Sequence, residues 1–233
     1  MEIELLIQKK KEIYTSLMEF IDDTENTDIE PLIKNIEEKE ILKNKKEISS
    51  TFQLWSKIAD NHCRLPDFID KFGKIINYII PEVRSEISDY EIYQIFKNNK
   101  RILLFLLEQG FIQPDEQIIS DIKKTKDKNN FPYSHYLYSG IKSFIDENEI
   151  KKIESEIKEK YDEKITNFEE KCRIGENDSY ICSLIRQDSA EEFIPYVNRT
   201  NISLSSQIQP SIFETNSFLM QKTPTLIEYA SFF

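Results

Sequence analysis

Residues 177–198 read NDSYICSLIRQDSAEEFIPYVN, and residues 223–233 read TPTLIEYASFF, with a polar stretch between them. Tyr180, Ile181, Leu184 and Ile185 recur at helical spacing, and Phe193, Ile194 and Val197 do so again after a break at Asp188-Ser189. The spacing predicts two short helices with a tight turn between them. A further helix starts at the end of the chain, with Thr223 or Thr225 as N-cap and Pro224 suited to a first turn. Short helix, break, short helix, long loop and new helix is the grammar of a helical repeat array.

Working outward, the same unit recurs with an irregular period. Ser88 to Gly110 carries Tyr90, Ile92, Tyr93 and Phe96, a break at Asn98-Asn99, then the block from Ile102 to Leu107 and a closing Gly110 suited to a left-handed cap. Pro114 and Asp115 start another helix through Ile118, Ile119 and Ile122. A long charged helix is expected from about Ser139 to Arg173, as one element or as two broken near Asp146. Its apolar positions are Ile141, Phe144, Ile145, Ile150, Ile153, Ile157, Tyr161, Ile165 and Phe168.

Toward the N-terminus four amphipathic helices are expected. The first carries Ile3, Leu6, Ile7, Ile13, Tyr14, Leu17, Phe20 and Ile21 and ends at Asp22-Asp23-Thr24. The second is capped by Asp28 and carries Ile29, Leu32, Ile33 and Ile36. The third runs from Ser49 to Ala59 with Phe52, Ile58 and a core Trp55. Pro66 opens the fourth, with Phe68, Ile69, Phe72, Ile75, Ile76 and Ile79, and Pro81 stops it. With only 4 Gly and 8 Pro in 233 residues, tight β-turns are few. The expected fold is all-α: N-terminal helical hairpins or a bundle over residues 1–85, then helix-pair repeats over 86–233 forming a solenoid.

Thr225-Leu226-Ile227-Glu228-Tyr229-Ala230 resembles the T-P-L-H-x-A signature of ankyrin repeats, with Thr225, Ile227 and Ala230 at its Thr, Leu and Ala. Leu226 replaces the Pro and Glu228 the His. Asp188–Asn198 is similar to the second helix of such a repeat, with Pro195 as a departure. As a whole the chain resembles degenerate ankyrin-repeat proteins of parasitic protists that carry an N-terminal helical domain of unknown function. The likeness is sharpest over Gly175–Phe233 and weaker over His62–Gly110. It implies a non-catalytic scaffold that binds a protein partner through its inner helices and loops. On that basis partner contacts are expected from the loop Arg199–Gln209, at Arg199, Thr200, Asn201, Ser203 and Gln207, with Ile202, Leu204 and Ile208 packed down. The chain is expected to be cut in mid-repeat, because Leu226, Ile227, Tyr229, Phe232 and Phe233 open a helix with no following partner.

Composition narrows the other classes. The net charge of −11 opposes nucleic-acid binding. No segment approaches the ~18 consecutive apolar residues of a membrane span. The N-terminus places acid before its apolar run and lysines after it, the reverse of a signal peptide. Cys63, Cys172 and Cys182, odd in number and widely spaced, suit free thiols in a reducing, cytoplasmic setting. His62 and His135 are the only histidines, and neither joins a zinc spacing with the cysteines. No glycine-rich phosphate loop is present, and adjacent acids such as Glu191/Glu192 diverge on a helix rather than face across a cleft. Tyr133, Tyr136 and Tyr138 are read as buried contacts in preference to a base-stacking platform. No cofactor, metal or catalytic residue is expected. The competing readings are an enzyme with an unrecognised site and a structural oligomer built through the charged helix at 139–173.

Overall fold

The structure, a computed structural model, describes residues 2–23, 28–62, 65 and 67–232. Thr24, Cys63, Pro66 and Phe233, and the side chains of Ile3, Leu6 and His62, lie outside the described residues. Helix makes up 70% of the structure, about twice the usual share, and no strand forms among the described residues. The chain is all-α. It divides into two compact units, Met1–Ile118 and Ile119–Phe233. The boundary expected at 85/86 falls within the first of these.

The first unit holds α1 (Glu2–Asp22), α2 (Glu30–Glu38), a 3-10 turn (Ile41–Lys43), α3 (Lys45–His62), α4 (Phe68–Val83), α5 (Asp89–Phe96), α6 (Lys100–Glu108) and the start of α7 (Glu116–Lys124). Of the stripe expected on α1, Ile13, Leu17, Phe20 and Ile21 are buried, whereas Ile7 and Tyr14 face solvent. The centre is aromatic. Phe52 stacks on Trp55 at 5.5 Å and meets Phe96 at 6.1 Å, and Phe72 meets both Phe96 and Phe105 edge-on. Gly73 lets α4 and α6 approach, since a Cβ there would stand 2.8 Å from the tip of the Phe105 ring. Asn99 caps α6 by accepting from the Ile102 N–H at 3.0 Å, and donates to Asp60 at 2.8 Å. Gly110 takes the left-handed conformation (φ 70) expected of it.

Pro81 does not stop α4, which continues to Val83. A proline so near the end removes one backbone bond, but Ile79, Ile80 and Val83 are all buried, and their burial holds the final turn. Beyond it, one buried polar side chain organises the N-terminal helices. Lys71, 3% exposed, donates from Nζ to the carbonyls of Phe20 (2.8 Å), Ile21 (3.2 Å) and Asp23 (2.6 Å) at the end of α1.

The second unit holds α8 (Tyr133–Tyr136), α9 (Tyr138–Ile141), a 3-10 turn (Lys142–Phe144), α10 (Glu147–Tyr161), α11 (Ile165–Ile174), α12 (Tyr180–Arg186), α13 (Ala190–Thr200), α14 (Ser217–Lys222) and α15 (Leu226–Ala230). The charged stretch expected as one or two helices is broken twice. Asp146 caps α10 by accepting from the N–H groups of Asn148 and Glu149, and Asp162 ends it in the left-handed region (φ 51). Ile153 and Ile157 of α10 and Phe168 and Cys172 of α11 are buried, while Phe144 is exposed. Tyr133, Tyr136 and Tyr138 are buried as read from the sequence, and the Tyr136 hydroxyl donates to the Cys172 carbonyl. Cys172 and Cys182 are buried and neither is in a disulfide.

Candidate functional site

Tyr180 at the start of α12 meets Tyr196 near the end of α13 edge-on at 5.0 Å, so these helices run antiparallel. The reversal between them places Asp188 at φ 50, a conformation Asp tolerates better than most residues. The N–H groups of Asp188 and Ser189 donate back to Ile185 and Leu184 and close the turn. α15 lies beside α12. Cys182, Ile208, Leu219, Leu226 and Tyr229 form one buried cluster, with Ile181, Ile185 and Ile202 packed against it. Burial raises the Cys182 thiol and the Tyr229 hydroxyl above their ordinary pKa values, so both stay neutral.

Arg186 locks this arrangement. Its guanidinium pairs with Glu176 at 2.6 Å and donates to the Asn177 carbonyl at 2.7 Å and the Tyr229 hydroxyl at 2.9 Å. The start of α15 is fixed by a capping box. Thr225 Oγ1 accepts from the Glu228 N–H, and a Glu228 carboxylate oxygen accepts from the Thr225 N–H at 2.7 Å. These bonds hold the Glu228 carboxyl below its ordinary value. Of the two threonines considered from the sequence, Thr225 is the cap.

The segment before α15 is stitched to it. Leu226 and Ile227 donate from their backbone to Ser206 and Leu204, and Ile208 donates to Pro224. Gln207 and Thr225 form an isolated antiparallel bridge. Of the expected contact residues, Arg199 and Thr200 lie in the last turn of α13 rather than in a loop. Polar residues fit there because that turn faces solvent. The Arg199 guanidinium stacks over the Tyr196 ring at 5.8 Å, and Thr200 donates back to the Tyr196 carbonyl. Asn201 is the left-handed cap (φ 53), and Ser203 bonds Ser205 at 2.7 Å. All five, Gln207 included, are exposed. Leu204, expected to pack down, is 43% exposed. It sits where the backbone, not the side chain, makes the attachment.

At the opposite end of the α12–α13 pair lies an open trough of about 430 Å³. Leu184, Ile185, Ala190, Phe193 and Ala230 give it apolar walls, with Asp188 at the turn. None of these was singled out from the sequence as a contact residue. The signal was present, since Ala190, Phe193, Ile194 and Val197 form an i, i+3, i+4, i+7 stripe. In the structure no side chain of α13 is buried, and Ile194 is 59% exposed.

A second cluster has the appearance of a reactive site but not its access. His135, 3% exposed, bonds Glu156 through Nε2 at 2.9 Å and the Tyr161 hydroxyl through Nδ1 at 3.3 Å. Both ring nitrogens are therefore occupied. An open groove of about 350 Å³ beside Phe131 and Tyr161 does not reach the imidazole. Burial lowers the His135 pKa below 6.5, outweighing the Glu156 hydrogen bond that raises it. Above pH 6.5 the imidazole is neutral whether folded or not, and the full stability is present. As pH falls below 6.5 the unfolded chain binds the proton first, and stability drops until the folded pKa is passed. The melting temperature is expected to fall as pH drops below 6.5, and less steeply in His135→Gln. An identical pH profile in both proteins would contradict the assignment.

Among the described residues no group of three or more His, Cys, Asp and Glu side chains is placed to hold a metal ion, and no helix is long and apolar enough to cross a membrane. Comparison with protein-family models, with curated proteins and with solved structures finds no match to this chain.

Proposed function

We propose that the second unit is a non-catalytic interaction module of the ankyrin-repeat type, which binds a protein partner along α12, α13 and α15. The observation that carries this reading is the apolar stripe of α13, exposed at Ala190 and Ile194 and only half-buried at Phe193 and Val197, beside an open trough. A lone surface Leu or Ile is ordinary, but a contiguous stripe on a helix is a place for another element to sit. The antiparallel α12–α13 pair and the capped α15 beside α12 support the repeat reading, with the short α14 as an element the repeat order does not account for. Two wider spaces of this unit are open troughs, and a narrower pocket near Asn177, Glu214 and Tyr229 is about 20 Å³, room for one water. That favours a macromolecular partner over a small substrate.

The test uses a photo-crosslinking amino acid placed singly at Ile194, at Arg199 and, as a control, at Lys151 on α10. These positions are all exposed. Discrete protein adducts from Ile194 or Arg199, absent from Lys151, are the expected result. Adducts from Ile194 alone place the contact on the exposed face of α13, and from Arg199 alone at its C-terminal end. Adducts only from Lys151, or from none of the three, would overturn the reading.

A further inference from the structure

We propose that the trough bounded by α12, α13 and α15 takes an amphipathic helix whose apolar stripe is flanked by basic side chains. The inference rests on the interaction-module reading and specifies the partner's chemistry. The shape argument comes first. α15 lies against α12, and the apolar stripe of α13 has no buried member. The trough between them has two helical walls and is lined at its base by Leu184, Ile185 and Phe193. An element with one apolar face fits such a slot, and a helix satisfies its own backbone bonds while it lies there. Ala190 and Ala230 keep the walls low enough for a helix to approach.

Charge then selects the flanks. Asp188 lines the trough at the turn, and Glu191 and Glu192 follow on the first turn of α13, all exposed, with Glu192 accepting from the Tyr180 hydroxyl at 2.9 Å. No ion pair to any of the three occurs among the described residues. Residues 187–198 contain no Lys or Arg. The one cation lining the trough, Arg186, has its guanidinium directed to Glu176, Asn177 and Tyr229. The trough thus carries the charge of Asp188, with Glu191 and Glu192 on the adjoining turn, and its one lining cation is engaged by Glu176. An apolar trough with such a rim attracts a partner carrying Lys or Arg beside its Leu-type anchors, and repels nucleic acid and anionic lipid. The length of α13, 11 residues, corresponds to roughly 16 Å, so about three turns of a partner helix cover it.

The experiment uses the full chain and three synthetic fluorescein-labelled peptides, each about 18 residues long to allow for frayed ends. One is a Leu/Lys amphipathic helix, one a scrambled sequence of the same composition, and one a Leu/Glu helix of the same pattern. Binding is followed by fluorescence anisotropy at several salt concentrations. The Leu/Lys helix is expected to bind at least tenfold more tightly than the other two. The double variant Glu191→Lys/Glu192→Lys should lose about tenfold for it and gain for the Leu/Glu helix. Phe193→Ala, checked by circular dichroism for retained helix, should weaken the Leu/Lys helix at high salt, where the rim is screened. Equal binding of the scrambled peptide, or indifference to the charge reversal, overturns the proposal. So does self-association by sedimentation that Phe193→Ala abolishes, which gives the slot to a second copy. If the peptides fail while crosslinking from Ile194 still captures a protein, the module reading stands and only the basic helix is wrong. If both fail, the module reading falls too.

Discussion

Replacing Lys71 with Met is expected to lower the stability of the first unit by about 3 kcal/mol. The carbonyls of Phe20, Ile21 and Asp23, at the end of α1, all accept from one ammonium. That group offers three N–H donors, and its charge suits the negative end of a helix. Its position 5.3 Å from the Phe20 ring adds a cation–π contact. Met keeps the apolar stem and removes the donations to all three carbonyls, two of them buried. Trp55, the only tryptophan, lies in the same unit, so its fluorescence reports the transition. The urea midpoint should fall by roughly 1–2 M at an m-value of about 2 kcal/mol/M. An unmoved midpoint would mean that water satisfies those carbonyls and that α1 is not held by Lys71.

Arg186→Ala should cost the second unit a similar amount, about 3 kcal/mol. The change removes at once the ion pair to Glu176 and the donations to the Asn177 carbonyl and the Tyr229 hydroxyl. Arg186→Lys should recover less than half of the loss, because a single ammonium cannot reproduce the planar fork that reaches three acceptors at once. Denaturant unfolding followed by circular dichroism at 222 nm checks both variants. Full recovery by Lys would show that charge alone, without the geometry, suffices.

The helical character of the chain was legible because nearly every buried face repeats at helical spacing. The run from Phe68 to Ile79 is an example. What periodicity could not supply was where helices stop. Ile150, Ile153 and Ile157 keep the same period as Ile165, Phe168 and Cys172, so the stripe runs across the left-handed Asp162 without a sign of it. Pro81 reads locally as a terminator, but the decision came from the burial of Val83, a tertiary effect. Arg199-Thr200 reads as loop because it is polar, yet an exposed final turn accepts polar side chains freely. The trough was invisible for a related reason. The stripe on α13 shows that a face is apolar, and only the fold shows that this face lies uncovered.

A helix of five residues has no stability of its own in water, so α15 owes its existence to the stitches from Leu204, Ser206 and Ile208 and to the Arg186–Tyr229 bond. Local opening of that stitched segment would therefore carry Ala230, one wall of the trough, away with it. The fraction of time the segment stays closed multiplies the intrinsic affinity of anything resting there. Residues far from a bound partner, in the sequence between α13 and α15, thus act as a gain control on how tightly it is held.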